Sequence, residues 1–248
     1  MKKTLIAIIF TSTLSVVAFQ SVTSNTRTNT MMLLPSADES GLIPTENVIS
    51  QLTALPAGKT TDADEITYQN LQSAFKGEST ASAKYAAYSK KAEEEGYHEI
   101  ALLFKAASVS EKIHAENHKA VLSEAGQKVP VITPEFSVND TKENLKDAIN
   151  GEGYEISTMY PEFLTNANTA GNQLALMSLN YAYKTEKKHK PMYEKALAAL
   201  QSNIVKSLPT AYYVCPTCGN TYESTNLPKR CGISMTSDEK FIRISDLN

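Results

Sequence analysis

The chain has 248 residues, of which 42% are hydrophobic and 21% are charged, enough for one or two domains with a sizeable buried core. The formal net charge is -3 and there is no basic patch or stripe, which argues against a nucleic-acid partner. The three cysteines all lie from residue 215 onwards, and an odd, clustered set predicts a metal site rather than a disulfide framework.

Residues 1–24 have the pattern of a secretory signal peptide. Lys2 and Lys3 precede a mostly apolar stretch from Leu5 to Phe19, which is short for a membrane span. We therefore expect an exported protein, periplasmic or otherwise extracytoplasmic; the alternative is an uncleaved N-terminus that anchors the chain to a membrane. Residues 25–61 are rich in Ser, Thr, Asn and Pro, which is typical of a linker or arm.

From residue 62 onwards, apolar residues recur at helical spacing in four long runs. Acidic residues at and after Asp62 favour the start of the first helix, and Gly96 and Gly126 end the first and second. The connection over residues 127–139 is long enough to cross a bundle. Four such helices indicate an all-α, antiparallel four-helix bundle over residues 62–205. The predicted helices span about residues 62–96, 97–126, 141–168 and 171–203.

One motif occurs twice, as Glu111-x-x-His114 and again as Glu186-x-x-His189. Residues three apart lie on nearly the same face of a helix, so each copy points a carboxylate and an imidazole at the same region. A Glu-x-x-His motif on each of two helices is how four-helix bundles build a di-iron carboxylate site. The repeat therefore predicts that the other two helices supply further carboxylates.

The first and third helices carry such carboxylates. Glu78 lies in an otherwise apolar face, and Glu152 and Glu155 stand three residues apart, although this last pattern is also common on exposed helices. Gly77-Glu78 recurs 74 residues later as Gly151-Glu152, and the Glu-x-x-His motif recurs after 75 residues. These nearly equal shifts indicate a duplicated helical hairpin. Imidazole and carboxylate together suit two iron ions, and also admit manganese or zinc. The predicted metal ligands are Glu78, Glu111, His114, Glu152, Glu155, Glu186 and His189.

Two tyrosines and two further histidines lie near these positions in the sequence. Tyr85 and Tyr160 fall within one or two turns of Glu78 and Glu155, where they could donate hydrogen bonds to the ligands or to bound oxygen species, or could pack in the core. We interpret His98 and His118 as residues of the surface or of the bundle ends rather than as ligands.

Five motifs follow one another along these helices: Gly77-Glu78-Ser79, Glu111-x-x-His114, Gly151-Glu152-x-x-Glu155, Met159-Tyr160-Pro161 and Glu186-x-x-His189. Together they resemble the rubrerythrin family over roughly residues 62–248. The resemblance implies a ferritin-like di-iron bundle that reduces hydrogen peroxide to water, with Tyr85 and Tyr160 as catalytic residues beside the ligands. It also implies a homodimer in which the C-terminal domain of one chain approaches the bundle of the other.

The C-terminal segment, residues 210–248, resembles a rubredoxin-like metal ribbon. Cys215-x-x-Cys218 is a knuckle of the kind that binds iron or zinc, but the second knuckle is Cys231-x-x-Ser234. A serine hydroxyl holds its proton far more tightly than a thiol, and thiolate is the better ligand for such a site. A Cys₃Ser site could therefore hold one iron, one zinc or no metal, which puts the electron-transfer role of this domain in question.

Three functions follow from these observations. The first is a peroxidase that protects against oxidative stress, with two irons that reduce hydrogen peroxide and an unidentified electron donor protein that acts directly or through the ribbon. The second is a di-iron ferroxidase or oxidase that uses dioxygen. The third is a non-catalytic iron-binding protein whose rubredoxin-like domain is degenerate.

Overall fold

The computed structural model describes residues 62–247. The predicted signal peptide over residues 1–24 and the predicted linker over residues 25–61 lie outside this range and stay predictions. The described chain forms a helical bundle followed by a small three-stranded ribbon, which confirms the predicted fold class. The helices are α1 (Asp62–Glu94), α2 (His98–Glu124), α3 (Thr141–Tyr154), α4 (Tyr160–Thr169) and α5 (Gln173–Gln201).

The third predicted helix differs from a regular α-helix, because a π-helical turn, Glu155–Met159, separates α3 from α4. Pro161 lies in the first turn of α4 and has no backbone N–H to donate to the preceding turn, which explains why the regular hydrogen-bond ladder is interrupted here. At the other end, the Asp140 side chain accepts a hydrogen bond from the backbone N–H of Glu143 and caps the start of α3. The predicted single helix is thus two α-helices joined by one wide turn.

Two apolar clusters fill the bundle, one towards each end. Tyr85, Phe104 and Tyr193 belong to the first cluster, and Leu71 and Leu179 belong to the second. On every long helix, buried acidic or histidine side chains lie between the residues of one cluster and those of the other. The bundle therefore holds a polar layer at mid-height between two apolar clusters. In the part of the chain that the structure describes, no helix is long and apolar enough to span a membrane.

The ribbon is an antiparallel sheet with strand order β2-β1-β3. Tyr222 and Phe241 stack with ring centroids 5.3 Å apart beside the three buried cysteines. On the opposite side, Val214 and Ile244 join the first apolar cluster of the bundle. A single chain thus seats its ribbon on its own bundle, whereas the resemblance implied contact between two chains; the homodimer stays a prediction. The strands are β1 (Tyr212–Val214), β2 (Thr221–Glu223) and β3 (Ile242–Ile244).

Candidate metal centre

The polar layer contains two overlapping groups of possible metal ligands. In each group, one ligand atom from every residue lies within 4.8 Å of the others, and all the side chains are buried. Glu111 and Glu186 belong to both groups, so the two sites are adjacent and share two carboxylates. The first group is Glu78, Glu111, His114 and Glu186, and the second is Glu111, Glu152, Glu186 and His189.

The distances within the two groups match each other closely. His114 Nδ1 lies 2.9 Å from Glu111 Oε2 and 3.0 Å from Glu186 Oε1. His189 Nδ1 lies 3.0 Å from the other oxygen of Glu111 and 2.8 Å from the other oxygen of Glu186. Two ligand atoms that each lie about 2.1 Å from one metal ion stand roughly 3 to 3.5 Å apart. The spacing therefore suits two metal ions, and Glu111 and Glu186 would be ligands of both.

The outer carboxylates complete the symmetry of the pair of sites. Glu78 Oε2 lies 3.8 Å from His114 Nδ1, and Glu152 Oε1 lies 3.9 Å from His189 Nδ1. Each ion would thus have one histidine and one terminal carboxylate of its own. This two-fold arrangement agrees with the duplicated hairpin that the sequence indicates.

Eight buried polar atoms of this layer have no hydrogen-bond partner within residues 62–247. An uncompensated buried acceptor costs about 1–3 kcal/mol and a charged one more, so a layer of this kind requires a compensating cation. The atoms present fit iron: carboxylate oxygens and imidazole nitrogens, all aimed at one another. They are both oxygens of Glu111 and of Glu186, Oε2 of Glu78 and of Glu152, and Nδ1 of His114 and of His189.

The ribbon sets the orientation of both histidines. His114 Nε2–H donates to the backbone carbonyl of Cys218 at 3.1 Å, and His189 Nε2–H donates to the Thr221 hydroxyl oxygen at 2.9 Å. Each bond fixes the proton on Nε2 and leaves the lone pair of Nδ1 facing the carboxylates, which is the usual arrangement of a histidine that binds a metal. Sequence reasoning missed Thr221, whose contact depends on the docking of the two domains.

Without metal, the layer holds protons. Burial, followed by the negative charge of Glu186, raises the pKa of Glu152 well above its usual value. Burial alone would lower the pKa of His114, but Glu186 and Glu111 outweigh it and raise that pKa well above its usual value. Conversely, burial would raise the pKa of Glu186, but both histidines outweigh it and lower the pKa to about 2. Metal binding must therefore displace protons from this layer.

We expect the metal-free protein to lose stability as the pH rises. Burial raises the pKa of Glu78 from 4.5 to about 7, so the folded state keeps this proton after the unfolded chain has released it. The resulting stability is fully present below pH 4.5 and disappears as the pH passes about 7, a change of up to ~3 kcal/mol. Urea unfolding of the metal-free protein at several pH values measures this change. A stability that increases over this range would contradict the expectation, and Glu78→Gln should flatten the profile.

Glu155 lies outside both four-residue groups. It begins the π-helical turn and is half-buried, and burial, followed by the charges of Glu78 and Glu152, raises its pKa well above the usual value. The Glu155 carboxyl group is therefore close enough to interact electrostatically with the carboxylates of the layer, although it belongs to neither ligand group. Its role as a ligand stays a prediction, and a π-turn at a functional site is a common device for redirecting one side chain.

The two predicted tyrosines contact the outer carboxylates. Tyr85 donates its hydroxyl proton to Glu152 Oε1 at 2.8 Å, and Tyr160 donates to Glu78 Oε1. Both hydroxyls are buried, and burial followed by the neighbouring carboxylate raises the pKa of each well above its usual value. Each site thus has one protonated phenol beside its terminal carboxylate, and the catalytic role of these tyrosines stays a prediction.

The interpretation of His118 as a surface or bundle-end residue is wrong. Its side chain is completely buried, with Nδ1 2.8 Å from the Ser178 hydroxyl and Nε2 3.3 Å from the Tyr160 hydroxyl. Position 118 is one helical turn beyond His114, so it continues the same face into the core, and this spacing could have revealed it. His98, in contrast, is partly exposed and lies 2.9 Å from Glu93 at the start of α2, as interpreted.

The three cysteines converge in the ribbon, and Ser234 joins them. The sulfur atoms of Cys215, Cys218 and Cys231 lie within 4.8 Å of one another, and the Ser234 hydroxyl lies 3.2 Å from Cys215 Sγ. A hydrogen bond with the Cys218 thiol lowers the pKa of Cys215 to about 4, which favours a thiolate at this position. The cluster could hold one metal ion with three sulfur ligands and a hydroxyl in the fourth position.

We expect Ser234→Cys to raise metal binding at the ribbon. The new thiol would stand where the hydroxyl now faces Cys215, and four thiolates are the usual ligand set for iron or zinc in such a knuckle. Metal content per chain should increase by one ion, with thiolate-to-iron absorption when iron is supplied. Ser224→Cys, on the exposed surface of the ribbon, should change neither quantity. Unchanged metal content in Ser234→Cys would show that the fourth position is not a ligand.

The fold and this layer define a class: a helical bundle with a non-haem di-iron carboxylate site and a C-terminal cysteine ribbon. The family model of rubrerythrin matches residues 69–197, more than half of the chain. The chain therefore belongs to the rubrerythrin family, as its motifs predicted, and the family's di-iron site is the centre described above.

Individual relatives agree with this assignment. Rubrerythrin-2 of Clostridium acetobutylicum is 36% identical over 172 residues, covering 69% of this chain and 92% of the relative. Nigerythrin of Nitratidesulfovibrio vulgaris is 33% identical, covering 71% and 85%. The solved structure of nigerythrin in its fully reduced, all-ferrous state superposes with a TM-score of 0.64 and 30% identity, covering 77% of this chain and 91% of that one.

Proposed function

We propose that this protein is a non-haem di-iron peroxidase that reduces hydrogen peroxide to water and so protects against oxidative stress. The observation that carries the proposal is the pair of overlapping ligand groups, each with a protonated phenol hydrogen-bonded to its terminal carboxylate. When bound, two irons supply the two electrons that cleavage of one O–O bond requires. The chain itself must then provide protons, a dry site and a route for electrons.

The proton sources nearest the site are Tyr85 and Tyr160. Each hydroxyl already points at a carboxylate of the layer, so a proton can move from phenol to carboxylate along an existing hydrogen bond. The rings of Tyr85, Phe104 and Tyr193, with centroids 5.3 to 6.0 Å apart, form an aromatic cluster on one side of the layer and keep bulk water away from it. A dry site strengthens each of these electrostatic interactions.

The contact between ribbon and bundle supports a route for electrons. Cys218 belongs to the cysteine cluster, and its own carbonyl accepts the hydrogen bond from His114, which belongs to the first ligand group. The two ligand sets are thus joined by covalent bonds and a single hydrogen bond. We infer that an external donor protein delivers electrons to the ribbon, which passes them to the bundle.

Ser234 favours one alternative to this route. If the Cys₃Ser cluster holds zinc or no metal, the ribbon cannot carry electrons, and the bundle would have to receive them directly from a donor or act only in iron binding. The proposal of peroxide reduction does not depend on a metal in the ribbon, because the ligand layer and the two tyrosines lie entirely in the helices.

We expect the anaerobically reduced, iron-loaded protein to be oxidised faster by hydrogen peroxide than by an equal concentration of dioxygen. Stopped-flow absorbance with each oxidant measures the two rates. Glu78→Ala should lose iron and peroxide reactivity while the bundle stays folded, because it removes the terminal carboxylate of one site. Glu116→Ala, on the exposed face of α2, is the matched control. Faster oxidation by dioxygen would instead indicate an oxidase, and no reaction with either would indicate an iron-binding protein.

A further inference from the structure

A line of hydrogen-bonding side chains leads away from the metal centre through the second apolar cluster. Tyr160 donates to Glu78, His118 lies beyond Tyr160, and Ser178 lies beyond His118. His118 is completely buried and Ser178 is 3% exposed, so both polar groups are enclosed by the bundle. Neither residue belongs to the two ligand groups. Burying them is costly unless each is paired, and here each is paired with the next.

The donors and acceptors in this line have one consistent direction. Metal binding would keep Glu78 ionised, and a carboxylate can only accept, so the Tyr160 hydroxyl donates to it. The tyrosine oxygen is then free to accept from His118 Nε2–H. His118 Nδ1 is left as an acceptor for the Ser178 hydroxyl at 2.8 Å. Every hydrogen in the line therefore points towards the metal centre.

The imidazole in the middle of the line stays neutral. Its complete burial lowers the pKa of His118 far below the usual value. A neutral imidazole carries one proton and one lone pair on opposite nitrogens, which is the form that can accept a proton on one side while it releases one on the other.

The outer end of the line meets the surface. Ser178 lines an open groove of about 410 Å³ between α2 and α5, together with Asn117, Glu124, Met177 and Tyr181. Leu174 and Met177 at the rim are each 47% exposed, so water can reach the groove. The line thus begins at solvent-accessible space and ends at a carboxylate of the metal centre.

We propose that Ser178, His118 and Tyr160 form a proton relay that carries protons from the water of this groove to Glu78. In one passage, the Tyr160 O–H bond breaks as a Glu78 O–H bond forms, His118 Nε2 gives its proton to Tyr160, Nδ1 takes the Ser178 proton, and Ser178 takes one from water. The need for these protons rests on the proposed function, because H₂O₂ + 2 e⁻ + 2 H⁺ gives two H₂O and each turnover therefore consumes two protons. The donor protein supplies the electrons, and the relay supplies protons.

The relay predicts slow turnover when its middle or its outer end is removed. In the reduced, iron-loaded protein, His118→Gln and Ser178→Ala should each lower the rate at saturating peroxide by ~10²-fold, the scale of one lost acid–base step, and leave half-saturation and iron content unchanged. Glutamine retains a polar side chain at this position but cannot exchange protons as imidazole does. The matched controls are His98→Gln and Ser123→Ala, neither of which lines the groove or belongs to the line, and rates equal to theirs would overturn the proposal.

A second measurement does not depend on peroxide chemistry. Loading with Zn²⁺, which has no redox activity, permits NMR of the His118 ring in the whole protein. The spectrum should show the proton on Nε2, and its exchange with water should slow by ~10-fold or more in Ser178→Ala relative to Ser123→Ala. Equal exchange rates, or a proton on Nδ1, would overturn the relay. If the iron-loaded wild-type protein does not react with peroxide while these exchange rates differ, the proposed function is wrong and the proton relay is supported.

Discussion

Glu186→Gln is expected to release both irons from the bundle. Glu186 belongs to both ligand groups, and its two oxygens lie 3.0 Å from His114 Nδ1 and 2.8 Å from His189 Nδ1. A carboxamide has no charge and only one oxygen, so it cannot serve both sites. We expect iron affinity to fall by more than ~100-fold, above the 10–100-fold range for losing a partner that only supports a ligand. Iron per chain after anaerobic desalting measures the loss.

Glu155→Gln is the informative comparison, because this carboxylate lies outside both groups. We expect it to keep two irons with weakened affinity at most, while circular dichroism shows an unchanged helix content in both variants. Glu116→Gln on the exposed face of α2 controls for the loss of one negative charge. Two tightly held irons in Glu186→Gln would refute the shared-carboxylate arrangement. Loss of both irons in Glu155→Gln would mean that the π-helical turn moves its carboxylate into the layer when metal binds.

The helices and most of the layer could be predicted from sequence because helical periodicity is a local property. Glu111 and His114 share a face whatever surrounds them, and the repeat at Glu186 and His189 then locates the partner helix. The π-helical turn at Glu155 could not be predicted in the same way. The turn depends on how Pro161 interrupts the backbone hydrogen bonds of the helix. The spacing of apolar residues in the sequence does not distinguish such a turn from a regular α-helix.

The contacts of the ribbon could not be predicted because backbone groups make many of them. The carbonyl of Cys218 accepts a hydrogen bond from His114. The carbonyl of Gly219 accepts two, from the Ser110 hydroxyl at 2.7 Å and from the Thr221 hydroxyl at 3.2 Å. Every residue has a carbonyl, so nothing in the sequence distinguishes these two. A glycine directly after the second cysteine of the knuckle was the one visible signal, and it marks a position where two backbones or a backbone and a side chain come close.

Gly219→Ala is therefore expected to separate the ribbon from the bundle. Gly219 has a φ of 77°, which other residues rarely adopt. A Cβ atom there would lie 2.4 Å from His114 Nε2 and 2.9 Å from the Ser110 hydroxyl. If the His114 ring moved away, its Nδ1 atom would leave the carboxylates of Glu111 and Glu186. We therefore expect the ribbon to move instead. The strain of about 1–2 kcal/mol adds to the loss of hydrogen bonds worth about 1 kcal/mol each.

The expected result is a protein that transfers electrons poorly between its two domains. It should also bind its bundle irons about 10–100-fold more weakly, because both histidines lose the hydrogen bonds that orient them, so iron is supplied in excess for the measurement. In the Ser234→Cys background, where the ribbon should hold iron, oxidation of the ribbon iron by the bundle should slow by at least ~10²-fold, since the hydrogen bond from His114 to Cys218 is broken. Protease should also cut the connection after α5 more readily. Gly232→Ala is the matched control, because it follows Cys231 as Gly219 follows Cys218, and its Cβ would approach only the Tyr222 hydroxyl, at 4.0 Å. Normal transfer in Gly219→Ala would mean that electrons reach the bundle by another path, and the hydrogen bond from His114 would then serve only to orient the imidazole.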